Sequence, residues 1–286
     1  MILKKNSLWA DAIKRIKKDK IALVSFFIIC FYFALAILAK LGLIATNYAE
    51  PNLGPNYAPP SAEFWLGTDI FGRSVLSRVV QGTKTAITIG FLASSVSIPI
   101  GVTLGALAGY FGRWVDDLVV WFYTTVASIP GILLIVSLSY VLGPGLVNAF
   151  IAIGLTSWVR LCRVVRGEFI KHKNREYAHA AQALGFSHIR RIFIHILPNV
   201  YPIILINFSL SFVFAIKSEV ILSYLGLGVE IGTPSWGVMI NDAKLELARG
   251  IWWQLGAATG FMFFLVLAFN LFNDSLRDAL DPKSRQ

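Results

Sequence analysis

The sequence predicts an all-α polytopic membrane protein with six transmembrane helices. Three observations lead there. Hydrophobic residues make up 56% of the 286-residue chain and charged residues 15%, against about 25% charged in a typical soluble domain. Long stretches carry no charged side chain, and the basic residues fall unevenly on the two sides those stretches would define. A water-soluble domain of this composition would lack the polar surface to cover its apolar residues.

Ile21 to Ala39 holds no Asp, Glu, Lys or Arg and follows Lys14, Arg15, Lys17, Lys18 and Lys20. Crossing a bilayer takes about 20 apolar residues at a rise of about 1.5 Å each. The run exceeds the apolar core of a cleaved signal peptide, so it reads as an uncleaved first span with the N-terminus inside. Thr85 to Gly112 is the second span. Leu118 to Val159 carries no charge and is too long for one crossing. Gly143-Pro144-Gly145 breaks it into a third span, Leu118 to Leu142, and a fourth from Leu146. The fourth continues past Arg160 and Arg163, whose heads are expected to snorkel to the inner interface. The fifth runs from about Asn199 to Ile221 and the sixth from about Ile251 to Phe272.

Six spans place both termini on one side. That side collects 19 Lys and Arg residues against six on the other, with Lys217 inside a span. Basic residues concentrate in cytoplasmic loops, so both termini are expected inside. The net charge of +10 then reflects membrane orientation, and no nucleic-acid partner is expected. The expected divisions are 1–84 (inner tail, first span, outside loop), 85–273 (a five-span core with a cytoplasmic loop at 160–199) and 274–286 (inner tail). Cys30 and Cys162 are too few for a disulfide framework and are expected to be free.

No G-x-x-x-x-G-K-[ST] phosphate loop and no HExxH is present. His172, His179, His188 and His195 are spaced 7, 9 and 7 apart, not at the i, i+4 interval of a helical metal site. No catalytic residue, metal or cofactor is expected in this chain. Among intramembrane acids, which proton-coupled carriers need, Glu219 is the one clear candidate.

The loop at 175–199 reads as two short helices and a turn. Tyr177, Ala181 and Leu184 fall on one face at i, i+4, i+7. Gly185 is placed to close the first helix with a left-handed residue, and Ser187 to cap the second. Ile189, Ile192, Phe193 and Ile196 form a second apolar stripe, and Pro198 restricts the start of span five. The small face of Ala178, Ala180, Ala181 and Ala183 admits another surface. A hairpin packing on its own bundle fits this spacing equally well.

This stretch resembles the EAA loop of importer permeases of the ATP-binding-cassette class. The matching residues are Ala180, Ala181, the Gly185 four residues on, and Leu197-Pro198. His179 stands where an acid is expected before the Ala pair, with Glu176 one turn earlier, and His195 where Ile is expected. Phe64 to Gly90 and Leu222 to Ala243 resemble signatures of the dipeptide and oligopeptide permease subfamily, in particular its C subunit. The resemblance covers nearly the whole chain. It implies a MetI-like permease core in a bacterial-type plasma (inner) membrane, forming half of a peptide pathway among membrane lipids. It also implies a second homologous permease, two cytoplasmic ATPase subunits that bind ATP and Mg, and an outside solute-binding protein. Glu176, Tyr177, Ala180, Ala181, Leu184, Gly185, Leu197 and Pro198 would then couple to an ATPase. Relatives carrying nickel chelates, glutathione or peptide antibiotics share these signatures. A non-transporting scaffold and an ion-coupled carrier are the alternatives of another class.

On the outside, Asp69, Arg73 and Arg78 are expected in a helix before span two, lying on the outer interface. Asp69 and Arg73 at i, i+4 would pair for about 0.2–0.5 kcal/mol if exposed. Lys217 and Glu219 at i, i+2 face opposite ways. Glu219 and Trp236 are the candidates for the outer pathway or gate.

Overall fold

The computed structural model describes residues 13–230 and 232–280. Residues 1–12 of the expected inner tail, Ile231 of the second outside loop and 281–286 of the C-terminal tail lie outside that description. The described chain is almost wholly helical, with one isolated bridge between Thr68 and Ser74. Among the described residues five helices are long and apolar enough to cross a membrane, and a bent helix pair brings the number to six if it counts as one span.

Helix α1 (Lys20–Lys40) starts at Asp19, whose side chain accepts the Ile21 N–H at 2.9 Å. It packs against α2 (Val75–Phe111) and α10 (Trp253–Leu280), where the Tyr32 hydroxyl donates to the Phe261 carbonyl at 2.9 Å. Helix α2 is 37 residues long and begins ten residues before the apolar run, because Ser74 caps it by accepting the Ser77 N–H. The expected end holds: Gly112, at φ +65, closes α2 and opens α3 (Arg113–Ala127).

The third span departs from expectation. Helices α3 and α4 (Gly131–Leu142) meet at an angle of 81°. The cause is Pro130, which offers no N–H and pushes the preceding Ile129 out of helical geometry. The break at Gly143-Pro144-Gly145 is where the sequence places it, and Gly145 N–H donates to Gly228 O at 2.7 Å. Helices α5 (Leu146–Thr156) and α6 (Trp158–Lys173) together form the fourth span. Hydroxyls of Thr156 and Ser157 bond back to α5 carbonyls at the joint between them, a pattern that bends helices. Helix α7 (Glu176–Ala183) lies in the loop that follows α6.

A helical turn at His188–Arg190 and a π turn at Arg191–Ile196 run without interruption into α8 (Leu197–Tyr224). Pro198 therefore does not start a new element. In the π turn Leu197 N–H reaches back five residues to Ile192 O, and this wider winding takes up the disturbance that the proline brings. Helix α9 (Trp236–Leu247) is capped by Ser235 and precedes α10.

Helix α2 is the axis of the bundle and contributes to each of its four apolar clusters, through residues such as Val79, Ile89, Ala106 and Ala108. Its tightest contact is with α6. Gly101, Gly105 and Gly109 recur every fourth residue along the face that meets α6. A Cβ on them would lie 2.9, 2.6 and 2.6 Å from the carbonyl oxygens of Trp158, Cys162 and Arg166. The two backbones touch directly, which is how helices associate where no hydrophobic force separates protein from lipid. Cys162, fully buried in this seam, and the exposed Cys30 on α1 are both free thiols. Across the next contact Arg166 grips Asp116 of α3 with two bonds, Nε–Oδ1 at 2.5 Å and Nη2–Oδ2 at 2.6 Å.

Candidate functional site

The hairpin at 175–199 is built around the turn its sequence suggests. Glu176 stands exposed in the first turn of α7, where its charge suits the helix dipole. Gly185, at φ +76, ends the helix. Its N–H donates to Gln182 O at 2.9 Å and the Phe186 N–H to Ala181 O at 3.2 Å. These paired bonds satisfy the last carbonyls and require the left-handed residue. Ser187 then caps the following turn, its hydroxyl accepting the Arg190 N–H.

Side chains lock the hairpin onto the bundle. Tyr177 shares a 2.7 Å hydrogen bond with His172 Nδ1, and burial raises the phenol above its ordinary pKa. His188 Nδ1 lies 2.9 Å from the Tyr110 hydroxyl of α2. Phe186 stacks on His195 with ring centroids 5.2 Å apart, and Arg190 covers its other side at 4.2 Å. Ala178, Ala181, Ile192 and Ile196 are buried beneath.

The candidate residues therefore divide. Ala181, 3% exposed, faces the chain's own core, while Tyr177 and Leu197 are half-buried. Ala180, Gly185 and Pro198 are exposed. Leu184 does not share the buried face of Tyr177 and Ala181: the helix ends at Ala183, and Leu184 caps it with its side chain 72% exposed. Ile189 and Phe193, one turn apart, are 71% and 61% exposed, so only Ile192 and Ile196 of the second stripe turn inward. Leu184, Ile189 and Phe193 leave an apolar surface on a rigid, basic hairpin. Such surfaces mark sites of protein contact.

In the loop before α2 the structure corrects the reading of Asp69 and Arg73. They pair, but in a turn ahead of α2 rather than in an interfacial helix. Asp69 is fully buried. Its Oδ1 accepts the N–H groups of Phe71 and Arg73, and its Oδ2 takes Arg73 Nε at 2.7 Å and Arg78 Nη1 at 2.8 Å. An Asp that binds the backbone two residues on favours a turn over a helix. Arg78 also reaches Gln254 Oε1 at 3.3 Å and Asp242 Oδ2 at 3.2 Å. The first outside loop is thereby tied to α9 and α10, an arrangement reinforced by the Trp253 indole donating to Thr68 O.

Glu246 completes this cluster and carries its one buried carboxylate oxygen without a hydrogen bond. Burial first, then Asp69 and Asp242, push its carboxyl up to about 7 from 4.5, partly offset by Arg78. The folded state therefore holds this proton more tightly than the unfolded chain. The associated stability is full below about pH 4.5 and is lost as pH rises through about 7. Glu246→Gln is expected to flatten the fall in thermal midpoint between about pH 5 and about pH 8. Equal falls in the variant and the parent would remove Glu246 as the cause.

Glu219 and Trp236 are both fully buried, away from any open surface. Glu219 Oε1 accepts the Ser223 hydroxyl at 2.7 Å, and Oε2, beside Ser235, has no hydrogen bond of good geometry. The Trp236 indole donates to Val79 O at 3.1 Å and lies over Gly82, fastening α9 to α2. Lys217 points the opposite way and is exposed. The fourth span continues past Arg160 and Arg163, as its sequence reads. They line a groove beside the α3–α4 elbow. The glycine stripe of α2 went unread in the sequence, although its four-residue period is plain in Gly101, Gly105 and Gly109.

Comparison with known proteins agrees with this architecture. Residues 101–286 match the model of the binding-protein-dependent transport system inner membrane component, and residues 7–60 that of the N-terminal transmembrane domain of oligopeptide transport permease C. The chain is 39% identical to the dipeptide transport system permease protein DppC of Alkalihalophilus pseudofirmus, over 98% of this chain and 91% of that protein. It is 37% identical to the oligopeptide transport system permease protein OppC of Bacillus subtilis, with the same coverage. The glutathione transport system permease protein GsiD of Pectobacterium atrosepticum is 32% identical over 96% of this chain and 91% of its own length. A crystal structure of an amino acid ABC transporter with histidines shares the fold, with a TM-score of 0.53 at 14% identity over 70% of this chain and 92% of that one. An all-helical bundle with a bent span, matched to its relatives nearly end to end, places the chain in the family of binding-protein-dependent transport system inner membrane components.

Proposed function

We propose that this multi-pass membrane protein is a permease subunit of an ATP-driven importer for di- and oligopeptides. It forms half of the pathway beside a homologous permease. Two cytoplasmic ATPase subunits bind and hydrolyse ATP, and an extracytoplasmic solute-binding protein delivers the peptide. Both termini face the cytoplasm of a bacterial-type inner membrane, which follows the bias of the basic residues.

The observation that carries this reading is the cytoplasmic hairpin. It is fixed to α2 and α6 through His188 and Tyr177, yet it presents Leu184, Ile189 and Phe193 outward. A rigid arm with an apolar tip transmits a push from a docked partner to the spans, which is what alternating access requires. The peptide substrate rests on the likeness to dipeptide and oligopeptide permeases. The glutathione permease relative favours a second reading in which the cargo is that tripeptide.

The test is transport by the complete complex in proteoliposomes. Uptake of a labelled tripeptide is expected only with ATP and the binding protein together. Uptake driven by an ion gradient without ATP would make the chain a carrier. Purification without any ATPase, and no uptake, would make it a scaffold.

A further inference from the structure

A groove of about 540 Å³ opens between three parts of the bundle. One wall is the α3–α4 elbow at Ile129, the second the α5–α6 joint with Thr156, Arg160 and Arg163, and the third α8 with Asn207 and Ser211. Two of these walls are breaks in the helix pairs at 113–142 and 146–173, and Asn207 to Ser211 is central in 197–224. Discontinuous helices of this kind form solute sites in transporters.

Its chemistry is one-sided. No Asp or Glu lines it. Arg160 makes no hydrogen bond or ion pair with any described residue, and Arg163 touches only the ring of Tyr123, at 4.9 Å. The Thr156 hydroxyl and the Asn207 amide N–H are engaged with carbonyls of their own helices. The donors of the groove without a hydrogen bond to a described residue are thus two guanidinium groups and the Ser211 hydroxyl, and of these the guanidinium groups carry charge. Arginines within spanning helices pair with an anion or mark a solute path, and their planar fork matches a carboxylate with two parallel bonds.

We propose that Arg160, assisted by Arg163, binds the terminal carboxylate of the transported peptide in this groove. The inference rests on the peptide-permease reading and adds a specificity determinant within the permease itself. The α8 wall and the elbow would receive the rest of the peptide, and movement of the elbow would release it.

The test uses the complete importer in proteoliposomes with a tripeptide and the same tripeptide as its C-terminal amide. Dividing each variant's uptake by that of the parent cancels the binding protein's own preference. The Arg160→Gln, Arg163→Gln double variant is expected to lose about ten-fold or more on the free acid and less than about two-fold on the amide. Arg160→Lys, which keeps the charge but not the fork, is expected to fall between. Equal loss on both peptides at normal complex abundance would overturn the inference, because the arginines would then pair with an acid of a neighbouring subunit. No loss on either would also overturn it, the heads then reaching lipid phosphate. If the parent complex imports neither peptide, the peptide-permease reading fails and takes this inference with it.

Discussion

Gly105→Leu is expected to prevent the bundle from assembling. A Cβ at this position would stand 2.6 Å from the Cys162 carbonyl oxygen and 2.9 Å from Val165 Cβ. Neither neighbour is the free end of a flexible side chain, so α2 and α6 must move apart. Overpacking a well-filled core costs typically about 1–3 kcal/mol, occasionally more. Here the same displacement also opens the contacts at Gly101 and Gly109, which share the seam. Their losses are coupled and fall together. The variant is expected to yield little monodisperse protein in detergent, and Gly105→Ala an intermediate amount. Gly167 provides the control, since it lies on α6 and a Cβ there would have nothing within 4 Å. Gly167→Ala is expected to be neutral or stabilising by roughly 0.5–1 kcal/mol, because alanine loses less backbone freedom in a helix. Normal size-exclusion profiles and thermal midpoints for Gly105→Leu would contradict the direct backbone contact.

Leu184→Asp combined with Ile189→Asp is expected to abolish transport while leaving the membrane domain intact. Both side chains are more than two-thirds exposed, at 72% and 71%, so the folded chain loses almost no packing. At a docked surface each would be desolvated. Fully burying a Leu or Ile gains about 1.5–3 kcal/mol, and burying an unpaired carboxylate instead carries a cost of its own. At about 1.4 kcal/mol per factor of ten, the pair is expected to weaken ATPase docking by a hundred-fold or more. The permease should purify without its ATPase and import nothing, at unchanged abundance and thermal midpoint. Ala181→Glu is expected to act differently. Ala181 is 3% exposed against the chain's own core, so its substitution should lower the thermal midpoint as well as transport.

Much of the fold was legible because bilayer burial is written in long uncharged runs and in the bias of Lys and Arg. The break at Gly143-Pro144-Gly145 and the left-handed Gly185 were legible because local backbone chemistry decides them. Other features were harder to read, some because distant contacts decide them. The run from Leu118 to Leu142 is uncharged, so hydropathy reads one helix, whereas the single Pro130 divides it at 81°. Asp69 and Arg73 have helical spacing, yet Asp69 turns to its own backbone and to Arg78, and the latter contact joins elements that α9 and α10 hold together. Leu184 completes an apolar stripe on paper, but the helix stops one residue short of it. Arg160 and Arg163 follow a 14-residue run, and the groove they line shows only once the elbow and α8 are packed beside them. The hairpin at 175–199 was legible, though its outward side chains could be distinguished from the buried ones only once α7 was seen packed on its neighbours.

The central claim is that the hairpin tip meets an ATPase. The most direct measurement is cross-linking from a cysteine at position 184, in a background lacking Cys30 and Cys162, within the native membrane. The expected result is a covalent product with the ATPase subunit, formed at high yield and changed in yield by ATP. A cysteine at 178, on the buried face, should give none. If position 184 gave no ATPase product while the complex remained able to import, the hairpin would not be the point of coupling.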